Sequence, residues 1–247
     1  MTSYNLAPGK FILFGDSITE FSWQSLPDST RTFSLMAAFG NHYVRKLDIV
    51  NRGYSGYTSD QGAIIFSKVV KNEPDIKLAT VFYGTNDSTY GKDAVLSVPL
   101  ERFRSNIEAI IKLSAVHNVK LILIAPTFHD QNILDRLFPE KSKLDKHKDI
   151  SHTSKYVNTL LELGEQYQLP VINLYEIFQK YEGDWSKDLL IDGLHFNGSG
   201  YKILHDQIIK VISEWYPELS ADNLPTVLPD FSDLPSIENF KRCVNGS

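Results

Sequence analysis

Phe11-Ile12-Leu13-Phe14-Gly15-Asp16-Ser17-Ile18-Thr19 is the stretch that decides how this chain is read. Its four apolar residues run without alternation, as in a strand of a parallel sheet with both faces buried. Gly15 permits a sharp exit, and Ser17 follows in the loop beyond the strand's carboxyl end. In open parallel sheets that edge is where sites form. Alone, Gly-Asp-Ser reads first as a turn or a helix N-cap.

The same pattern recurs outward from that stretch. Leu47-Asp48-Ile49-Val50 ends at Asn51-Arg52-Gly53, and Leu78-Ala79-Thr80-Val81-Phe82-Tyr83 ends at Gly84. Val119 to Ile124 ends at Ala125-Pro126, and Val171-Ile172-Asn173-Leu174 closes the series. Only the second run alternates. Between the runs, Phe103, Ile107, Ile110, Ile111 and Leu113 recur at helical steps within Leu100 to Val116. Ile203, Leu204, Ile208, Ile209, Val211 and Ile212 do the same within Tyr201 to Trp215. Strands alternating with helices predict right-handed β-α-β units around a parallel sheet, an α/β fold.

The chain of 247 residues suits one such domain. After Pro217 the composition changes: Asp222 to Pro235 is rich in proline and acids and cannot be a continuous helix. Its regularly placed Leu224, Val227, Leu228, Phe231 and Leu234 suit an extended arm packed on the domain or on a second subunit. The expected division is a domain over 1–217 and an arm over 218–247.

With 42% hydrophobic residues there is material for a sizeable core, and a net charge of −5 gives no basic field for nucleic acid or an anionic membrane. The lysines between Glu140 and Lys148 are interleaved with acids and read as a solvated loop or helix face. Cys243 is the only cysteine, so no intramolecular disulfide can form. The N-terminus lacks a secretory signal, and no apolar run approaches the ~20 residues that span a bilayer. A cytoplasmic, soluble protein is the economical reading. Asn-x-Ser at Asn86, Asn197 and Asn245 then reads as chance rather than as glycan sites.

The loops after the strands carry the chemistry. Asn51-Arg52-Gly53-Tyr54-Ser55-Gly56-Tyr57-Thr58 can bring a backbone N–H close to a ligand. Gly84-Thr85-Asn86-Asp87 offers a carboxamide at the same edge, or simply a turn stabilised by its Asn and Asp. Late in the chain, Asp192-Gly193-Leu194-His195 places a carboxylate where it can reach around a turn and fix an imidazole tautomer. Each alone is weak; together they supply a nucleophile, backbone and carboxamide donors for an oxyanion, and an oriented base.

At these four blocks the chain resembles the GDSL or SGNH hydrolases, over roughly residues 10 to 215. The resemblance implies a three-layer α/β/α, flavodoxin-like fold with five parallel strands. It implies Ser17 as nucleophile, Asp192 as orienting acid and His195 as base. The oxyanion hole it implies is the N–H groups of Ser17 and Gly56 with the Asn86 side chain. Gly15 to Phe21, Arg52 to Ser59, Asp192 to Phe196, Gly200-Tyr201-Lys202 and Leu228-Pro229-Asp230-Phe231 look similar to the fungal isoamyl acetate-hydrolysing esterases. That implies hydrolysis of short-chain acetate esters by an intracellular enzyme able to work as a homodimer. Thioesters, lysophospholipids and acetylated sugars are rival substrates within the family. A non-catalytic binding module and an acetyltransferase are the readings from other classes.

No Gly-x-Ser-x-Gly elbow, phosphate-binding loop or dinucleotide fingerprint is present, and Asp192, His195 and His129 have no clustered third ligand in sequence. No cofactor and no metal are expected. Asp16 and Asp87 read as loop braces, His129 as a solvated loop residue outside the triad, and His205 as structural. Phe21, Trp23, Tyr54, Tyr57 and Phe196 fit either a small apolar ester or the core.

Overall fold

The computed structural model describes residues 8–23, 33–143, 148–228 and 230–245. Five strands form one parallel sheet: β1 (Gly9–Gly15), β2 (Leu47–Gly53), β3 (Ile76–Phe82), β4 (Lys120–Ala125) and β5 (Val171–Asn173), in the order β2-β1-β3-β4-β5. In β1, Phe11 and Leu13 enter one apolar core and Ile12 and Phe14 the other, which is why the run does not alternate. The half-exposed β2 lies at an edge, where alternation is expected.

The first core is closed by α2 (Leu35–His42), α8 (Leu174–Gln179), α9 (Trp185–Leu189) and α10 (Gly198–Trp215). The second is closed by α3 (Ser59–Asn72), α4 (Leu100–Val116) and α7 (Ile150–Tyr167). The expected three-layer α/β/α architecture is therefore the one observed. The other helices are short: α1 (Ser17–Glu20), α5 (Gln131–Leu137), α6 (Pro139–Ser142) and the C-terminal α11 (Ile237–Asn245).

Two of the boundaries that differ from the sequence expectation are set by asparagine caps. Leu174 leaves the strand to open α8, because the Asn173 side chain caps the Glu176 N–H at 3.1 Å. Helix α10 begins three residues before Tyr201, where Asn197 accepts from the N–H groups of Ser199 and Gly200 at 2.9 and 3.2 Å. Those caps offset the poor helix propensity of Gly198-Ser199-Gly200.

After α10 the chain returns to the domain. The Tyr43 hydroxyl donates to Leu219 O at 3.1 Å, Lys46 donates to Ala221 O, and Val227 N donates to Arg45 O at 2.8 Å. Beyond Leu228, Phe231, Leu234 and Ile237 are exposed. Pro229 of the expected arm lies outside the described residues. Among the described residues, no helix is long and apolar enough to cross a membrane.

Candidate active site

The strand order reverses between β1 and β3, and the candidate residues gather beyond the carboxyl ends there, where the splayed crossovers leave a crevice. Ser17 opens α1. Asp16 caps that helix with Oδ1 on Ile18 N at 3.0 Å. The Tyr201 hydroxyl donates to Ile18 O at 2.6 Å, and the Asn51 carboxamide donates to Thr19 O at 2.8 Å. The carbonyls at the end of this short helix are thus partnered, and Ser17 sits on a braced turn.

The late loop is folded by its own acid. Asp192 Oδ1 accepts the backbone N–H of Leu194 at 3.0 Å and of His195 at 2.9 Å. Its Oδ2 lies 2.7 Å from His195 Nδ1, and His195 Nε2 lies 3.0 Å from Ser17 Oγ. An ionised carboxylate only accepts, so Nδ1 carries the hydrogen and Nε2 of the neutral ring accepts from the serine hydroxyl. Burial works against ionisation of Asp192, but the hydrogen bonds from the His195 ring and backbone prevail and hold its pKa below the usual carboxylate value. Phe21 packs against the imidazole with ring centroids 5.1 Å apart, limiting its rotation.

This loop needs glycine at 193. Its φ is +87°, and a Cβ there would lie 2.8 Å from Asp130 O and 3.0 Å from Ile133 Cβ. The approach is close because Asp130 N donates to Gly193 O at 2.7 Å.

Gly56 (φ +77°) turns the loop after β2, whose Ser55 N–H is taken by the Glu20 carboxylate. The Asn86 side chain, 7% exposed, donates from Nδ2 to Tyr57 O at 2.9 Å, which ties the loops after β3 and β2 together. Ser17, Gly56, Asn86, Asp192 and His195 line one cleft of about 600 Å³. All five residues singled out from the sequence therefore meet in one place.

Asp16 and Asp87 are braces, as expected. Asp87 accepts from Ser59 N at 2.9 Å and Gly84 N at 3.2 Å. Burial pushes the Asp16 carboxyl up to about 7 and that of Asp87 up to about 6. His205 packs on Phe33 and Phe39, a structural role. Asn86 and Asn197 are buried.

Two expectations are corrected, and one that the sequence leaves open is decided. His129 is not solvated: it is buried and bonded to Lys148 O at 2.8 Å, and burial lowers its pKa to about 4. The lysine-rich stretch is not wholly a solvated face, since Lys148 turns inward and donates to Thr85 O; residues 144–147 lie outside the described set. The aromatic residues near the motifs do not line the cleft. Phe196 is core, Tyr54 packs on Phe14 and Tyr57, and Trp23 is exposed. The apolar wall is instead Val95, Leu96, Leu134, Phe138 and Leu194. Apart from Leu194, which lies between Asp192 and His195, these come from the segments before α4 and around α5, where no local motif marks them.

Comparisons with known proteins show which family the chain resembles over most of its length. Residues 13–203 match the model of the GDSL-like Lipase/Acylhydrolase family. The chain is 37% identical over 227 residues to the isoamyl acetate-hydrolyzing esterase of Saccharomyces cerevisiae, covering 91% of this chain and 94% of that protein. It is 29% identical over 238 residues to the human isoamyl acetate-hydrolyzing esterase 1 homolog, covering 91% and 88%. The crystal structure of a lipase/acylhydrolase from Enterococcus faecalis aligns with a TM-score of 0.60 at 25% identity, covering 88% of this chain and 98% of that one. With the family model spanning most of the sheet and all four loops of the cleft, the chain belongs to the GDSL-like lipase/acylhydrolase family.

Proposed function

We propose that the chain is a serine esterase that hydrolyses short-chain acyl esters, acetates of alcohols such as isoamyl acetate, through an acyl-enzyme on Ser17. The observation that carries the reading is the relay Asp192 Oδ2–His195 Nδ1 at 2.7 Å and His195 Nε2–Ser17 Oγ at 3.0 Å. The names of the relatives at 37% and 29% identity support the acetate ester as substrate.

In this mechanism His195 Nε2 takes the hydroxyl proton as Ser17 Oγ attacks the ester carbonyl. Asp192 stabilises the imidazolium without becoming protonated. The oxyanion is received by the N–H groups of Ser17 and Gly56 and by Asn86, whose Nδ2 carries a second hydrogen besides the one on Tyr57 O. His195 then protonates the leaving alcohol, and water activated by the same imidazole cleaves the acyl-enzyme.

The same reading takes residues 1–217 as the hydrolase domain and 218–247 as an arm, in a cytoplasmic enzyme that needs no cofactor. Its partners are a small ester and a second copy of the chain. Exposed Phe231, Leu234 and Ile237 support the arm's part in that pairing.

The test is kcat/KM over esters of increasing acyl length, with isoamyl acetate as the reference and Ser17→Ala as the control. The expected result is a maximum at acetate that Ser17→Ala abolishes. A maximum at long acyl chains, or at acyl thioesters or acetylated sugars, would overturn the substrate assignment.

A further inference from the structure

Lys148 stands apart from the interleaved charges that precede it. It is half-buried, its ammonium donates to the Thr85 carbonyl, and it lines the cleft beside Ser17, Gly56, Asn86 and His195. We infer that Lys148 is a positioning residue for the oxyanion site: its ammonium fixes the Thr85–Asn86 peptide and adds a positive charge to the wall facing the developing oxyanion. The inference rests on the reading of Ser17 as nucleophile.

The Thr85–Asn86 peptide lies directly before the carboxamide that the oxyanion site requires. Its turn is held by Thr89 N on Asn86 O at 3.0 Å and by Ser88 N on Gly84 O at 3.0 Å. The Thr85 hydroxyl is buried and has no hydrogen-bond partner. The Thr85 carbonyl is therefore the anchor available at this end of the turn. It receives the Lys148 ammonium and, at a long 3.4 Å, the Ser88 hydroxyl. Of these two, the charged donor makes the stronger bond.

Lys148 is itself held in place. A carbonyl only accepts, so His129 must donate Nε2–H to Lys148 O across the 2.8 Å contact. The buried ring is neutral, and this bond fixes its tautomer. A chain of hydrogen bonds then runs from His129 after β4, through Lys148, to Thr85–Asn86 after β3, and on to Tyr57 after β2. It joins three loops of the cleft and carries one full positive charge. That charge reaches the carboxyl beside Ser17: burial pushes Asp16 upward, while the Ile18 N–H and then Lys148 pull it back. A fixed charge in a partly desolvated cleft acts on an anion far more strongly than one in water.

The experiment measures kcat and KM on a short-chain ester for Lys148→Met, Lys148→Gln and Lys148→Arg, with Ser17→Ala alongside. Removing an interaction made only as the oxyanion forms lowers kcat and leaves KM in place. Met and Gln should each lose roughly tenfold in kcat with KM within about twofold, and Arg should recover most of the loss. Gln keeps a donor for Thr85 without the charge, so it also serves if the Met variant fails to fold. Full kcat in Met or Gln, or Arg no better than Met, would overturn the assignment. Activity retained by Ser17→Ala would instead remove the nucleophile reading. Loss in Ser17→Ala with undiminished Lys148 variants would remove only the role of Lys148.

Discussion

At the scale of single residues, the Asn86 side chain gives one hydrogen to Tyr57 O and keeps the other for an oxyanion in the cleft beside Ser17. Asn86→Ala should therefore lose about 10²–10³ in kcat, about 3 kcal/mol of barrier, in steady-state kinetics. An unchanged kcat would remove it from that role. Ser17, Asn86, Asp192 and His195 are legible in the sequence because each belongs to a short motif, at a fixed offset from a strand end or from one another. The roles of Lys148 and His129 are not, because they depend on contacts between separate loops, which local composition does not report. Asp16 makes a different prediction. Its buried carboxyl keeps a proton to about pH 7 when folded, against the usual 3.8 when unfolded. The folded state therefore binds more protons between those values, and the group's contribution to stability, full below pH 4, is lost as pH rises through 7. Asn mimics the protonated acid at every pH. The melting temperature of Asp16→Asn relative to the parent should rise between pH 5 and pH 8, and a difference independent of pH would contradict a buried neutral acid.

At the scale of elements, the strands were legible because β1 has a core on each face and so shows an unbroken apolar run. Helix α4 was equally clear, its periodic residues spanning Leu100–Val116. The start of α10 is not legible, because Gly198-Ser199-Gly200 resembles a loop and only the Asn197 cap makes it helical. Helix α7 is hidden in the sequence, since Ser151, His152, Thr153 and Ser154 obscure its opening turn; Asp149 supplies the cap, accepting from Ser151 N at 2.7 Å. The loop carrying Asp192 and His195 depends on Gly193 at positive φ against Asp130 and Ile133. Gly193→Ala should therefore destabilise the protein by about 1–3 kcal/mol in urea unfolding and lower kcat by displacing the imidazole. A variant as stable and active as the parent would show that the loop can relax without cost.

At the scale of the whole molecule, the change of composition after Pro217 was legible, but not where contact with the domain ends. Leu219 and Ala221 are buried, and Leu228 accepts from Arg45, whereas Phe231, Leu234 and Ile237 stand in solvent. At a dilution where the chain is monomeric, truncation after Leu228 should shift the melting temperature by less than about 3 °C, whereas truncation after Tyr216 should lower it well beyond that. Equal losses would show that the terminal residues contribute as much as the packed ones. The central claim, that one serine carries the acyl group, is tested most directly by intact-mass spectrometry after treatment with a fluorophosphonate. The expected result is one adduct per chain, located on the Ser17 peptide after proteolytic digestion, with esterase activity lost in proportion and no adduct on Ser17→Ala. An unlabelled Ser17, or a labelled Ser17 with activity intact, would contradict it.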